Sequence, residues 1–143
     1  MEEILTLRHY LEQQRYDDAL TLAIEMEEMS KDDKINKIRS FARVMLLHLI
    51  KQAAEKRSTR SWDLSIRNAA REIRYVNQRR SAGGTYLSEA ELREIISEAY
   101  QPALEGASLE AFEGMYDDAR IEQMVERVTI EQQAWETIQE KEI

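Results

Sequence analysis

Between Arg57 and Arg80, in the stretch RSTRSWDLSIRNAAREIRYVNQRR, arginine occurs seven times in a 143-residue chain of net charge −8. A guanidinium group stays charged at every working pH and offers a flat fork of five donors. It therefore recognises phosphate or carboxylate oxygens. With Trp62 at zero and about 100° per residue, Ile66, Ala69, Ile73 and Val76 fall within about 50° of it. Arg67, Arg71 and Arg74 fall near 140°, 180° and 120° on the same scale, about opposite. Such a helix buries an apolar stripe and turns an arginine stripe outward, with Lys56, Arg57 and Arg60 leading into it. Trp62 shares the register of Ile66 and Ile73, so it reads as core rather than as a stacking platform among the arginines.

Phosphates, protein carboxylates and plain water compete for that ridge. A chain of net −8 brings its own acidic segments up to any polyanion, which weakens sequence-independent phosphate binding. Exposed ion pairs contribute only about 0–1 kcal/mol each. Bidentate arginine–carboxylate contacts in a partly dry seam are firmer and set orientation. Arg57, Arg60, Arg67, Arg71 and Arg74 are therefore read as a surface for acidic protein, ahead of a merely solvated face, with nucleic acid last.

Arg43 and His48 form a second candidate pair in RVMLLH. The R-x4-H spacing resembles that of the HEPN class of helical-bundle ribonucleases. The resemblance implies an arginine that stabilises phosphate charge, a histidine acting as general acid or base, and the RNA 2′-hydroxyl as nucleophile. Five helical steps turn about 140°, so the two side chains could flank a cleft but not meet one spot face-on. That class usually has a polar residue soon after the arginine, whereas Val44, Met45, Leu46 and Leu47 here are all apolar. A histidine packed among helices, with Arg43 at the rim, is the preferred reading. No catalytic residue is assigned, and a metal-independent, toxin-like ribonuclease using Arg43 and His48 stands as the alternative, beside simple RNA binding.

Other chemistry falls away. Glu25, Glu27 and Glu28 suggest a carboxylate metal bundle, but that chemistry wants Glu-x-x-His. Thr6 precedes His9 by three and Met45 precedes His48 by three, so no metal site is expected. Gly83-Gly84 lacks the lysine and spacing of a phosphate loop. The chain has no cysteine, which removes disulfides and thiolate chemistry, and no cofactor is expected.

Helices must position these residues. Ile4, Leu7, Tyr10 and Leu11 keep helical spacing over residues 2–14. After RYDD, Asp17 or Asp18 is expected to cap a second helix with Leu20, Ala23 and Ile24 on its face. SKDD is expected to cap a third, carrying Ile35, Ile38, Met45 and Leu49 and apolar almost all round from Val44 to Ile50. Leu46, Leu49, Trp62, Ile66 and Ile73 are the expected core. Ser61 is the expected cap of the arginine helix, and SAGGT its end. Ser88 opens a helix through Leu92, Ile95, Ile96 and Ala99, which Pro102 is expected to break or kink. Helix resumes from Leu104 to about Ile138, with an interruption near Gly114. YDDAL at 16–20 and YDDAR at 116–120 are too far apart for a repeat architecture and read as similar helix starts. No strand alternation appears, so the expected fold is all-α, a compact bundle of five to six helices in a single domain over residues 1–143.

Charge is distributed as a sandwich: −6 over residues 1–30, +9 over 31–80 and −11 over 81–143. That pattern speaks about association rather than fold. The longest apolar run, Val44–Leu47, is far short of the ~20 residues needed to span a bilayer. MEEILTLRHY has no basic stretch followed by an apolar run. A cytoplasmic protein without membrane contact is expected.

MLLHLIK followed by RSTRSWDLSIRNAAREI closely resembles the domain-of-unknown-function 29 family, helical proteins abundant in cyanobacteria. In that family an acidic helix precedes an LLxHLLKW-like helix, then a basic joint, a tryptophan and an IRxxRREI-like helix. Glu25–Glu28, Leu46–Lys51, Arg60–Trp62 and Ile66–Ile73 match in order over a core of about residues 10–80, with an acidic helical part at 85–140. Gln52 replaces the family's usual tryptophan, the FP…CPY-like stretch is missing, and the family's extra N-terminal segment is absent or shortened. The resemblance implies a helical fold and no particular activity. Together these readings predict a non-enzymatic, homodimeric interaction module whose arginine-lined helix binds acidic helices of a partner or twin.

Overall fold

The structure, a computed structural model, describes residues 2–79 and 83–140. Those residues form six helices: α1 Glu2–Glu12, α2 Tyr16–Glu55, α3 Arg60–Asn77, α4 Glu89–Glu110, α5 Asp118–Met124 and α6 Arg127–Gln139. A 3-10 turn, Ala111–Gly114, follows α4. Among the described residues the only β pairing is an isolated antiparallel bridge between Gln78 and Thr85. The all-α expectation holds. By backbone contact the chain forms two units, Met1–Ile35 and Asn36–Ile143.

In the first unit, α1 begins with Glu2 and Glu3, which suit the positive end of a helix dipole. Gln14 takes a left-handed φ of 61° and ends the α1 turn, where Arg15 N–H donates to the Tyr10 carbonyl at 2.8 Å. The Arg15 guanidinium lies 4.5 Å from the centre of the Tyr10 ring and pairs with Asp18 at 2.9 Å. Among the described residues of this unit, Ala19 alone is buried.

Several expected boundaries move. Helix α2 already begins at Tyr16, so Asp17 and Asp18 lie in its first turn rather than capping it. Ser30, Lys31, Asp32 and Asp33 lie inside α2 and cap nothing. Ser and Asp cost a helix interior only a few tenths of a kcal/mol each, and the apolar periodicity passes through them. The cap of α3 is Thr59, not Ser61. Thr59 is extended (φ −125°, ψ 159°) and its hydroxyl accepts from Trp62 N–H at 3.1 Å, whereas Ser61 already sits in the first turn. α3 also ends earlier than SAGGT, at Asn77. The buried Asn77 side chain accepts from Leu87 N–H and its carbonyl accepts from Tyr86 N–H, both at 2.9 Å, which closes the connection to α4. Ser81 and Ala82 of that motif lie outside the described residues, as does Arg80.

Ser88 caps α4 through a reciprocal capping box with Glu91. Pro102 neither ends α4 nor divides it; buried Ala99, Tyr100, Ala103 and Leu104 flank it. The expected interruption near Gly114 is real: Phe112, Glu113 and Gly114 have φ of 52°, 57° and 78° in succession. Both YDD motifs stand at helix starts, with Asp117 accepting from Arg120 N–H at 2.9 Å as the cap of α5. The core of the second unit gathers Ile38, Met45, Leu46 and Ile50 of α2, Ile66 and Ile73 of α3, and Ile96, Tyr100 and Leu104 of α4. Helix α6 packs on both α3 and α4.

Candidate functional site

The arginines of α3 divide by position. Arg60, Arg67 and Arg71 are exposed. Arg71 also donates to the Asn68 side chain at 3.1 Å, one turn back. Around the helix axis they lie within about 40° of one another, and exposed Leu64 and Tyr75 fall in the same sector. The outer face is therefore mixed, cationic and apolar together. Arg74 turns differently: it is half-buried and donates to the carbonyls of Thr137 and Ile138 at 3.2 and 3.1 Å. It thereby supplies a donor to the last carbonyls of α6, of which that of Thr137 also accepts from Glu140 N–H at 3.3 Å.

Arg57 belongs to a third arrangement, the corner where α2, α3 and α4 meet. Lys51 Nζ lies 2.8 Å from a Glu110 carboxylate oxygen and 4.5 Å from the centre of the Trp62 ring. Arg57 stands 4.7 Å from the same ring and pairs with Glu55 at 2.9 Å. Glu55 spends its other oxygen on Phe112 N–H at 3.1 Å, in the left-handed turn. Burial opposes the Glu55 charge, but Phe112 N–H, Arg57 and Lys51 outweigh it and hold the carboxyl below its ordinary range. Trp62 itself is half-buried, whereas Leu46, Leu49, Ile66 and Ile73 are buried. Gln52 donates to Ser58 at 2.7 Å and to Asp63 at 3.0 Å, tying the joint. A cleft of about 320 Å³ opens beside this corner, lined by Glu55, Arg57, Trp62, Glu110, Phe112 and Met115 among others. Each cation here has a carboxylate and an aromatic face, so the cluster joins three helices electrostatically and offers no nucleophile.

Arg43 and His48 both lie on α2, Arg43 exposed and His48 half-buried. His48 Nδ1 is buried and has no hydrogen-bond partner among the described residues. Burial pushes its imidazole below the ordinary value of 6.5, Lys51 adds to that, and Glu110 opposes it. With the folded value depressed, the unfolded chain takes the proton first as pH falls. The His48 contribution is thus full above about pH 6.5 and lost as pH drops through the folded value. Urea midpoints at pH 7.5 and 5.5 are expected to differ less in His48→Gln than in the natural chain. An equal difference in both would place the pH sensitivity elsewhere.

No curated protein and no solved structure matches the chain. A family model, Domain of unknown function DUF29, matches residues 6–137. The chain belongs to the DUF29 family. The match takes in the C-terminal half as well as the stretches around Leu46–Lys51 and Trp62. Among the described residues of this DUF29 chain no group of three or more His, Cys, Asp or Glu side chains could hold a metal, and no helix is long and apolar enough to cross a membrane.

Sequence reading missed the partners at the DUF29 corner. Lys51 follows the largely apolar stretch Val44–Ile50, which itself signals burial on several sides, so the lysine inherits a buried position. Nothing in the sequence pairs it with Glu110, 59 residues on. Tyr100 was also missed. Its ring is fully buried with Arg127 4.6 Å from the ring centre, and its hydroxyl has no hydrogen-bond partner among the described residues. Removing an unsatisfied buried hydroxyl while keeping the ring favours the fold. Tyr100→Phe is expected to raise unfolding free energy by about 1 kcal/mol, read from urea denaturation; a loss of stability would reveal a partner for that hydroxyl.

Proposed function

We propose that this DUF29 chain is a non-enzymatic interaction module in which the outer face of α3 docks an acidic, partly apolar helix of a protein. One observation carries the reading. Leu64 and Tyr75, 48% and 57% exposed, share a face with Arg60, Arg67 and Arg71. A ridge serving only solubility gains nothing from large apolar side chains. A phosphate backbone would use the charges and leave the leucine idle. A helix with carboxylates beside apolar residues uses both, and arginine and tyrosine are the residue types that anchor protein interfaces. The net charge of −8 further favours a discrete acidic helix over an extended polyanion.

The test compares two probes of similar length, an acidic amphipathic helical peptide and a single-stranded RNA. The peptide is expected to bind saturably and to lose at least about tenfold in affinity in Arg67→Glu/Arg71→Glu. Tighter binding of the RNA, with a steep salt dependence, would replace this reading by nucleic-acid recognition. RNA incubated with chelator is expected to stay intact with the natural chain and with His48→Ala alike. Cleavage lost in the variant would establish the ribonuclease alternative.

A further inference from the structure

Resting on the docking role just proposed for α3, we infer that the helix it takes is the start of α2 from a second copy of this chain. That segment carries an unusual exposed stripe. Tyr16, Leu20 and Ile24 are 63%, 62% and 48% exposed and recur every four residues. With Leu20 at zero, Tyr16 and Ile24 lie about 40° to either side, and Glu27, Asp17 and Glu28 fall within about 80°. All three acids are exposed. The first unit buries only Ala19 among its described residues while leaving this stripe, with Ile4 and Leu11, in water. Apolar surface of that extent rimmed by charge is the mark of an interaction surface.

The two faces complement each other in kind, and in the number of their charges. One offers Tyr16, Leu20 and Ile24 with three carboxylates; the other offers Leu64 and Tyr75 with three guanidinium groups. The apolar residues span about 12 Å along α2 and about 16 Å along α3, so the rows match in length. Residues 1–30 carry −6 and residues 31–80 carry +9, so like faces repel and unlike faces attract. Every copy carries one of each face. Two copies related by a two-fold axis satisfy both at once, which is why a second copy fits better than an unrelated acidic protein.

Sedimentation equilibrium of the full chain and two exposed-residue variants tests this. The natural chain is expected to form a dimer. Glu27→Arg/Glu28→Arg sets cation against cation at both contacts, and Arg67→Glu/Arg71→Glu sets anion against anion. Each alone is expected to weaken the dimer by at least about tenfold. An equimolar mixture restores opposite charges at both contacts of a mixed pair, so dimer is expected to return. A natural chain monomeric up to about 100 µM, or two weakened variants that fail to rescue each other, overturns the inference. Loss of the dimer on arginine reversal alone, with glutamate reversal harmless, likewise overturns it while leaving α3 as a docking face for a different acidic surface. The peptide assay above reports on α3 alone, so the two failures are told apart.

Discussion

Lys51→Ala is expected to lower unfolding free energy by about 3 kcal/mol, and Lys51→Met by less than about 1 kcal/mol. The Lys51 side chain is only 6% exposed, yet its ion-pair partner Glu110 is half-exposed. When the lysine is removed, that carboxylate rehydrates, so the full penalty of an abandoned buried charge is not incurred. The ammonium over the Trp62 ring contributes about 0.5–2 kcal/mol. The largest share comes from the stem, whose four methylenes fill space between α2, α3 and α4 and whose loss leaves a cavity. Methionine keeps that volume and removes the desolvated charge. Urea denaturation of both variants measures the contrast. Equal losses in the two would show that the charge, not the packing, secures this corner.

That corner marks where sequence reading stops. Helix identity was legible because it depends on neighbours three and four residues away: Ile66, Ala69 and Ile73 declare the buried side of α3, and Ser88 with Glu91 declares the start of α4. Caps were less legible. Thr59 and Ser61 are both good capping residues, and only the backbone bend at Thr59 decides between them. SKDD misled for the same reason, since a capping residue type terminates a helix only when the chain leaves helical geometry there. Pairings across 50 or more residues were not legible at all. The charge sandwich showed a basic middle and an acidic end, but not whether they meet, nor that Arg39 would take Glu98 at 3.0 Å or Lys51 take Glu110. It also did not separate Arg74, which serves the backbone of α6, from Arg67, which faces outward.

Those pairings sharpen the question of the arginine block. Several of the second unit's cations are satisfied within it: Arg57 by Glu55, Arg74 by helix-end carbonyls, Arg93 by Glu89 and Arg127 by Glu131. Arg60 and Arg67 make no ion pair or hydrogen bond among the described residues. A surface that needs an outside partner should show this pattern, with internal carboxylates assigned elsewhere and cations left beside exposed apolar groups. It is also why the informative change includes Arg67, whereas altering Arg57 or Arg74 would confound docking with stability.

Gly106→Leu is expected to cost about 3 kcal/mol, most of it recovered when Leu47→Ala is added. Gly106 lies within α4, and a Cβ built there would stand 2.8 Å from Leu47 Cδ1 of α2. A single methyl meets the movable end of a leucine, and replacing a mid-helix glycine gains about 1 kcal/mol of helix propensity. Gly106→Ala is therefore expected to fall within about 1 kcal/mol of the natural chain. A whole leucine side chain has no such latitude. It must displace Leu47 or spread α2 from α4, and spreading would strain the Lys51–Glu110 pair one helical turn further along. Trimming Leu47 to alanine vacates nearly the volume that the new side chain brings. A double-mutant cycle by urea denaturation is expected to give a coupling of about 2 kcal/mol in the restoring direction. Additive losses would mean that the two helices do not meet through these residues, and the close approach on which the corner geometry depends would have to be abandoned.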